Sequence, residues 1–595
     1  MRIIIFDFEV FKFDTLLGAI IINENNGDEI FQSWNLNEIS NFYENHKNDI
    51  WIGHNNSHYD NYILQTVYLT KNQTKVKNIN DDIIKRNLKV KLSIKLYNYD
   101  LISNHFGSLK SIEAAVGKKI SETKIDFDID RPLYLEEKVL EEEYNRDDLY
   151  QTLDNFSSLF TEFQLRLEII KEFNLPLESL SLTGTQIAEK VLGANRIDGI
   201  ENEVISPKIH NNLILKNEKL IDYYLKEKFK TDEKLEIKIC NVIHRVGSGG
   251  IHGAKEKIYC DKCLYLDVSG YYNLIMINFD LLPRSISKKG KDLYIYMYHE
   301  QLKLKGITEL ALKRQSYKVI LLAVFGAMLN KYSKFYDPYK GDLVTITGQI
   351  YIVDLLEKLE GKIDLIQSNT DGIMVKPLPG HTDDEIIQIV DNWCKRTGFV
   401  IKPKTIYNVF QRDVNNYVYQ DKEGNINAKG EALKHFECDD NPFITDLFNS
   451  KEPPIIAKGI VEYLINKKLP EKTIEENKEK LKYFQFICKK LSYDWIEYEK
   501  ENGERKKLQD INRVFAMNDN FSKGMIYKYK IKDDKISKSR FASLPDSVFI
   551  FNEDIKNKEI FNEIYSKIDY NYYVKRIYER INEFLYIPQI KDVIL

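Results

Sequence analysis

The sequence predicts a multidomain α/β protein, and three observations carry that expectation. Its 595 residues exceed what one hydrophobic core organises, while a hydrophobic content of 43% is ordinary for globular domains. The first ~175 residues interleave strand-like runs, "RIIIFDF" and "LLGAIIIN", with a long helical run beginning "LEEKVLEEEYNRDDLYQTL". Farther on, the strand-like "CLYLDVSGYYNLIMIN" precedes a basic helical stretch to residue 335 and a hairpin, "LIQSNTDGIMVKP", at 365–377.

Composition excludes some classes. No apolar run reaches transmembrane length. The N-terminal "MRIIIFDFEVF" sets Asp7 and Glu9 directly after its apolar run, which a signal peptide would not, so a cytoplasmic protein is expected. The six cysteines are Cys240, Cys260, Cys263, Cys394, Cys438 and Cys488. "CDKC" at 260–263 has metal spacing, but no second pair lies near to complete four ligands, so reduced, unligated thiols are expected. The net charge is −4, yet residues 284–340 hold twelve Lys/Arg against four Asp/Glu. Such a local surplus suits phosphate binding, although a solvated helix face has the same composition.

Asp7 and Glu9 stand two apart on a strand, so both side chains leave one face. Like charges side by side repel, and a divalent cation relieves that cost. "GHNNSHYDNYIL" offers Asp60, and "EEEYNRDDLY" offers Tyr144 and Asp148, stacked four apart on one helix face. Four carboxylates around two metals can activate a water and stabilise the leaving oxygen of a phosphodiester, with Tyr144 placed to orient the water. Singly these pieces are weak, because a DxE on a strand is usually a solvated edge.

In this order, the pieces resemble the Exo I (DxE), Exo II (Nx2-3[F/Y]D) and Exo III (Yx3D) motifs of the DEDDy 3′–5′ exonuclease domains of proofreading DNA polymerases. Glu143 stands where the histidine subtype carries its base, and "LKSIEAAVGKKI" also looks like those domains. The resemblance implies that Asn56 and Tyr59 contact a single-stranded 3′ end, Tyr59 by stacking.

A second set follows. "YLDVSGYYN" puts Asp267 at a strand end, "KRQSYKVILLAVFGAMLNKY" puts Arg314 and Lys318 on one helix face, and "SNTDG" supplies Asp371 at a hairpin tip, where Asp-Gly signals the turn. Nucleotidyl transfer needs two carboxylates for two Mg2+, cations for a triphosphate and a floor for the incoming base. The set resembles family B DNA polymerases. Motif A (DxxSLYP) is matched by Asp267 with Tyr272 five residues on, motif B (Kx3NSxYG) by Lys318 with Phe325 and Gly326, and motif C (DTDS) by Asn369-Thr370-Asp371-Gly372. The resemblance implies an RNase H-like exonuclease domain (1–175) followed by a right-hand polymerase. Its parts would be an exonuclease–palm connection with motif A (176–285), fingers (286–335), palm (336–434) and a thumb-like remainder (435–595).

By the same resemblance, Mg2+ or Mn2+, two ions per site, would be held by Asp7, Glu9, Asp60 and Asp148, and by Asp267, Val268 and Asp371. Tyr272 would select dNTP over rNTP, and Arg314, Lys318, Phe325 and Gly326 would bind nucleotide. Gly249, Gly250, Thr370, Tyr417, Lys429 and Gly430 would meet DNA. Expected partners are primer–template DNA, dNTPs, a single-stranded 3′ end and viral replisome proteins, with a monomeric chain, no membrane, and the infected host cytoplasm as its place if viral.

Gly270, Tyr271 and Asn273 depart from motif A, Leu322 and Ala323 from motif B, Asn369 from motif C, and Asn415 stands where a Lys of a KxY pattern is expected. The family A pattern fits less well, because its aromatic-Gly lies one residue farther from the Lys and its His-Asp-Glu is absent. With Exo I at residue 7 the chain looks compact, like the protein-primed phage enzymes. The gaps of 51 residues (Asp267 to Lys318) and 53 (Lys318 to Asp371) leave no room for their two insertions, so no terminal-protein docking and weak strand displacement are expected. Two other classes stay open: a nuclease whose C-terminal half has decayed into a DNA-binding module, and a non-catalytic clamp. His54 and His58 read as surface or packing groups, and His252 lies in a Gly-rich loop.

Overall fold

The computed structural model describes residues 1–585 except 24–26, 87–90, 104, 106, 202, 227–232, 248, 438–440, 442, 444–445, 522 and 556–563, so Cys438 lies outside the described residues. The chain is a mixed α/β multidomain protein with several sheets. It divides into two compact units: residues 1–183, 439–453 and 478–570, and residues 184–438, 454–477 and 571–595. The segment 435–595 is therefore shared between the units. Among the described residues no helix is long and apolar enough to cross a membrane.

The first unit opens with β1 (Ile3–Val10), β2 (Thr15–Ile22), β3 (Glu29–Ser33), β4 (Ile50–Gly53) and β5 (Tyr97–Asp100), in the order β3-β2-β1-β4-β5. β1–β2 and β2–β3 pair antiparallel, β1–β4 and β4–β5 parallel. Both faces are covered. Ile4, Phe6, Phe8 and Val10 of β1 enter one core with Trp51 and Ile63, while Ile5 joins Ile52, Leu149 and Phe156 in the other. Among the helices that flank the sheet are α1 (Asp60–Thr70), α2 (Leu109–Val116) and α3 (Leu135–Ser158). Gly18 on β2 pairs with Asp7, and a Cβ there would stand 1.8 Å from Asn145 Oδ1, so the missing side chain lets α3 lie close over the strands.

The second unit is built on a nine-stranded, wholly antiparallel sheet. Its strands are β6 (Leu235–Ile239), β7 (Val242–Gly247), β8 (Gly250–Ala254), β9 (Ile258–Asp267), β10 (Ile363–Asn369), β11 (Gly372–Pro377), β12 (Lys404–Asp413), β13 (Asn416–Gln420) and β14 (Ile426–Lys429), in the order β14-β13-β12-β9-β11-β10-β8-β7-β6. Helices α4 (Tyr271–Asn278), α5 (Ala311–Ala327) and α6 (Pro338–Leu359) accompany it. α6 is buried along nearly its whole length, and its Asp354 carboxylate accepts bonds from Trp393 Nε1 and Ile214 N and pairs with Arg396.

The C-terminal residues of the first unit are strand-rich. β15 (Phe486–Lys489), β18 (Ile511–Ala516) and β21 (Val548–Ile550) form one sheet; β16 (Trp495–Lys500), β17 (Arg505–Lys507), β19 (Gly524–Lys532) and β20 (Lys535–Arg540) form another. From residue 435 the sequence reads as mostly charged helix apart from "GMIYKYKI", which is β19, so the other six strands correct that expectation. "KLKYFQFICKKLSYDW", whose sequence suits a duplex-gripping surface or an amphipathic helix equally well, holds a short 3-10 turn and β15.

The fully buried Arg513 of β18 donates to Ala114 and Lys118 carbonyls at the end of α2, to Glu553 and Phe551 carbonyls, and to Gln485 Oε1. A cation at a helix C-terminus meets the negative end of the dipole and satisfies carbonyls that the helix cannot. Arg513→Met leaves those acceptors without a donor, and a loss of about 3 kcal/mol is expected in urea unfolding of the full chain.

Candidate active sites

In the first unit, the pleat of β1 turns Asp7 and Glu9 to the face that α3 covers, and the four-residue spacing on α3 brings Tyr144 and Asp148 down onto them. One carboxylate oxygen each from Asp7, Glu9 and Asp148 lies within 4.8 Å of the others. Asp60, the first residue of α1, accepts from Phe8 N at 3.2 Å, which ties it to the same strand. Asn145 Nδ2 donates to Asp7 Oδ2 at 3.0 Å.

The electrostatics are those of crowded buried acids. Burial pushes the Asp7 carboxyl up to about 7, with Asp148 adding to the push. Burial, and then Asp7, hold Glu9 and Asp60 well above the ordinary carboxylate range. Asp148 is raised by burial against the pull of Lys110, and burial followed by Asp148 raises the Tyr144 phenol. Glu113 and Glu141 add two more buried acids, each with one oxygen, Oε2, that has no hydrogen-bond partner. This donor set of hard oxygens with surplus negative charge fits a divalent cation.

A carboxyl raised in this way favours the folded chain at low pH. The folded chain keeps a proton that the unfolded chain releases above its ordinary 3.8, so metal-free protein is expected to lose stability as pH rises from there through about 7. Millimolar Mg2+ at about pH 8 should restore it, by about 2.7 kcal/mol at a hundredfold excess over Kd. Thermal melts of the full chain, and of Asp7→Asn with Glu9→Gln, check this: the double variant should show a shallower pH slope, Asp60, Asp148, Asp267 and Asp371 keeping theirs, and should lose the first site's share of the Mg2+ response.

The residues expected at a DNA 3′ end divide. Tyr59 is partly buried and donates to Asn80 Oδ1 at 2.6 Å, close enough to Asp7 and Glu9 to feel their charge. Asn56 is fully buried, and its amide donates to Asn98 Oδ1 at 2.7 Å on β5. It fastens the turn before α1 rather than facing outward. His54 is also a packing group, bonded to the Gly107 carbonyl at 2.9 Å, while His58 is exposed.

In the second unit Asp267 ends β9 and pairs across the sheet with Gly372 of β11. The β10–β11 hairpin closes at the pair Asn369–Gly372, so its two-residue loop is Thr370-Asp371. The turn thus falls one residue before the Asp-Gly that signals it. Thr370 takes the left-handed conformation (φ 59°), strained for a β-branched residue. It is held there by its amide on the Ile251 carbonyl (3.2 Å) and by its Oγ1 beside His252 Nε2 (3.1 Å). Val268 N donates to the Asp371 carbonyl at 3.0 Å, which locks the loop to the end of β9. Burial first, and Asp267 second, push the Asp371 carboxyl up to about 6, and burial also raises Asp267. Two neighbouring acids in this state fit a shared divalent cation.

Of the other expected residues, Tyr272 and Tyr417 lie within the field of this pair, and Gly250 lies against its loop. Tyr272 of α4 stacks on Phe325 of α5, centroids 4.2 Å apart. Arg314, Lys318, Leu322, Phe325 and Gly326 recur at three- and four-residue spacing along α5. Arg314 Nε donates to the Gln301 carbonyl, and Leu322 is 65% exposed, so the stripe carries an apolar side chain where the motif has an asparagine. Gly250 lies against Thr370 and His252, while Gly249 has open space above its Cα. Tyr417 is buried beside Tyr265, Tyr419 and Gln367, within the field of Asp267 and Asp371, and pairs across the sheet with the exposed Lys429. Gly430 has φ 100°, and a Cβ there would fall 2.4 Å from the Asn415 carbonyl, so the chain can pass there as glycine alone. Asn415 lines an open cavity of about 770 Å3 with Arg245, Lys255 and Arg412.

No protein-family model and no curated protein matches this chain. Among solved structures it is similar to the family B DNA polymerase from the hyperthermophilic archaeon Pyrobaculum calidifontis, at 14% identity and a TM-score of 0.44, over 100% of this chain and 79% of that one.

Sequence reading missed Lys110, Glu113 and Glu141 in the first site and, in the second, Tyr265, which lies against Gly372, and Lys404, whose charge acts on Asp267. Glu141 precedes Tyr144 by one helical turn and was within reach of the spacing argument. Lys110 and Glu113 belong to α2, whose approach to α3 no local pattern reveals. The five described cysteines are free thiols, with Cys260 and Cys263 packed in the cluster under β9.

Proposed function

We propose that the chain is a DNA-templated DNA polymerase of the family B type with a DEDDy 3′–5′ proofreading exonuclease, serving phage genome replication. One observation carries the synthetic half: the Thr370-Asp371 loop is bolted to the end of β9, where the Asp371 carboxyl feels the charge of Asp267 and Tyr272 of the Tyr272–Phe325 stack feels that of Asp371. Asp267, Val268 and Asp371 would hold Mg2+ or Mn2+ there, and Asp7, Glu9, Asp60 and Asp148 in the first unit. At each site two such ions would supply activation of the attacking oxygen and neutralisation of the leaving one.

This chain's own residues bind and orient. Lys318 and Arg314 present charge to a triphosphate, and Tyr272 limits room beside the sugar. Lys429 approaches the primer–template backbone, and Tyr59 offers a ring near the acid cluster. The mixed sheet β3-β2-β1-β4-β5 supports the RNase H-like reading of residues 1–175, and the nine-stranded antiparallel sheet supports a palm. Fingers at 286–335 are proposed from the basic helical stretch around α5, and a cytoplasmic, monomeric enzyme meeting replisome proteins completes the reading.

A nuclease-only reading draws on one observation: among the described residues the group of three acids suited to a metal is Asp7, Glu9 and Asp148, whereas the second site offers a pair. A 5′-labelled primer annealed to a longer template separates the two. With Mg2+ and no dNTP the primer should shorten; on adding all four dNTPs it should lengthen to the template end. Shortening under both conditions selects the nuclease.

A further inference from the structure

Lys110 occupies a place that its local structure does not explain. It is the second residue of α2, in the first helical turn, where a cation opposes the positive end of the helix dipole. Its side chain is 15% exposed, so the ammonium has also left most of its water. What offsets those costs lies inside the acid cluster. Lys110 Nζ bonds to Asp148 Oδ1, sits 3.3 Å from Glu113 Oε1, and stands 4.7 Å over the centroid of the Tyr144 ring. It thus touches two residues of the proposed nuclease site at once. The helix that carries it is fixed from behind: the Ala114 carbonyl at its other end accepts from Gln485 and from Arg513.

A lysine paired with an acid is most often a stabilising bridge and nothing more. Two features set this one apart. The acids that feel its charge (Asp7, Glu9, Asp148 and Glu113) are buried or half-buried and outnumber it, so it does not neutralise the pocket. The ring beneath its ammonium is that of Tyr144, which lies one helical turn from Asp148.

We propose that Lys110 is a positioning residue of the nuclease site: it ties the Asp148 carboxylate to the Tyr144 ring in the cleavage geometry and carries part of the positive charge that divalent cations otherwise supply there. The inference rests on the nuclease reading of this cluster. It has a consequence of opposite sign in two measurements. Removing the ammonium frees Asp148 and Tyr144 and slows cleavage. The same change leaves the pocket more negative and strengthens its hold on a cation. A lysine that merely props up the fold would, on removal, weaken both.

The test uses full-length protein. Trimming of a single-stranded 3′ end is compared for the unsubstituted chain, Lys110→Met and Lys110→Arg. Lys110→Met should lower kcat by about thirtyfold with KM within about threefold, and Lys110→Arg should recover much of kcat. Binding of Mn2+ alone is measured in parallel, with Asp267→Asn and Asp371→Asn present so that the second unit does not compete. Lys110→Met should bind Mn2+ several-fold more tightly. Trimming by Lys110→Met within about twofold of the unsubstituted chain, or Mn2+ binding weakened alongside trimming, overturns the proposal. Should the unsubstituted chain fail to trim at all, the nuclease reading itself falls, while the Mn2+ arm still reports whether Lys110 competes with a cation.

Discussion

Asp371→Ala should abolish primer extension, by on the order of 10³-fold or more, and leave 3′ trimming intact. The size follows from what the side chain does. Asp371 and Asp267 are the two acids of the second site, and burial already works against holding both charged. Losing one removes one of the two carboxylates that would gather cations at the reacting phosphate, in a site where charge stabilisation is worth several kcal/mol. The fold should survive, because the loop is held through backbone bonds of Thr370, Asp371 and Val268 rather than through the Asp371 carboxylate. A gel assay with 5′-labelled primer reads both activities in one lane series. Extension that survives in Asp371→Ala would remove this residue from the chemistry.

Asp7→Ala combined with Glu9→Ala should do the reverse. Trimming should fall by on the order of 10³-fold or more, while extension with all four dNTPs persists. The two acids share one face of β1 and lie within 4.8 Å of Asp148, so their loss leaves Asp60 and Asp148 as the remaining acids of the motif set. The variant should also melt higher than the parent in metal-free buffer, since two mutually repelling buried carboxyls are gone. A slower but equal decline of both activities in either variant would mean that the two sites are not independent.

Much of both sites was legible because each rests on a short-range rule. The two-residue period of β1 places Asp7 with Glu9, and the four-residue period of α3 stacks Tyr144 on Asp148. Alternating apolar runs around "SNTDG" give the hairpin, and the i, i+4 spacing on α5 aligns Arg314 with Lys318. The errors arise where tertiary contacts decide. Thr370 turns the chain one residue before the glycine because the Ile251 carbonyl and His252 hold it in a left-handed conformation that its own side chain disfavours. Asn56 is drawn inward by Asn98, some forty residues away and on another strand. From β15 onward most strands are short, three to six residues, and β16 ("WIEYEK") and β20 ("KISKSR") are rich in charge, so neither length nor apolar alternation separates these two from charged helix. Lys110 and Arg513 act through α2 and β18, whose meeting no local pattern announces.

The central claim is that Asp267 and Asp371 serve templated nucleotide addition. Its most direct test supplies the purified chain with Mg2+, a primer–template and a single dNTP, and reads the product at one-nucleotide resolution for each of the four templating bases. The expected result is a primer one nucleotide longer when, and only when, the dNTP complements the template. A primer that is shortened or unchanged with every matched dNTP contradicts the claim.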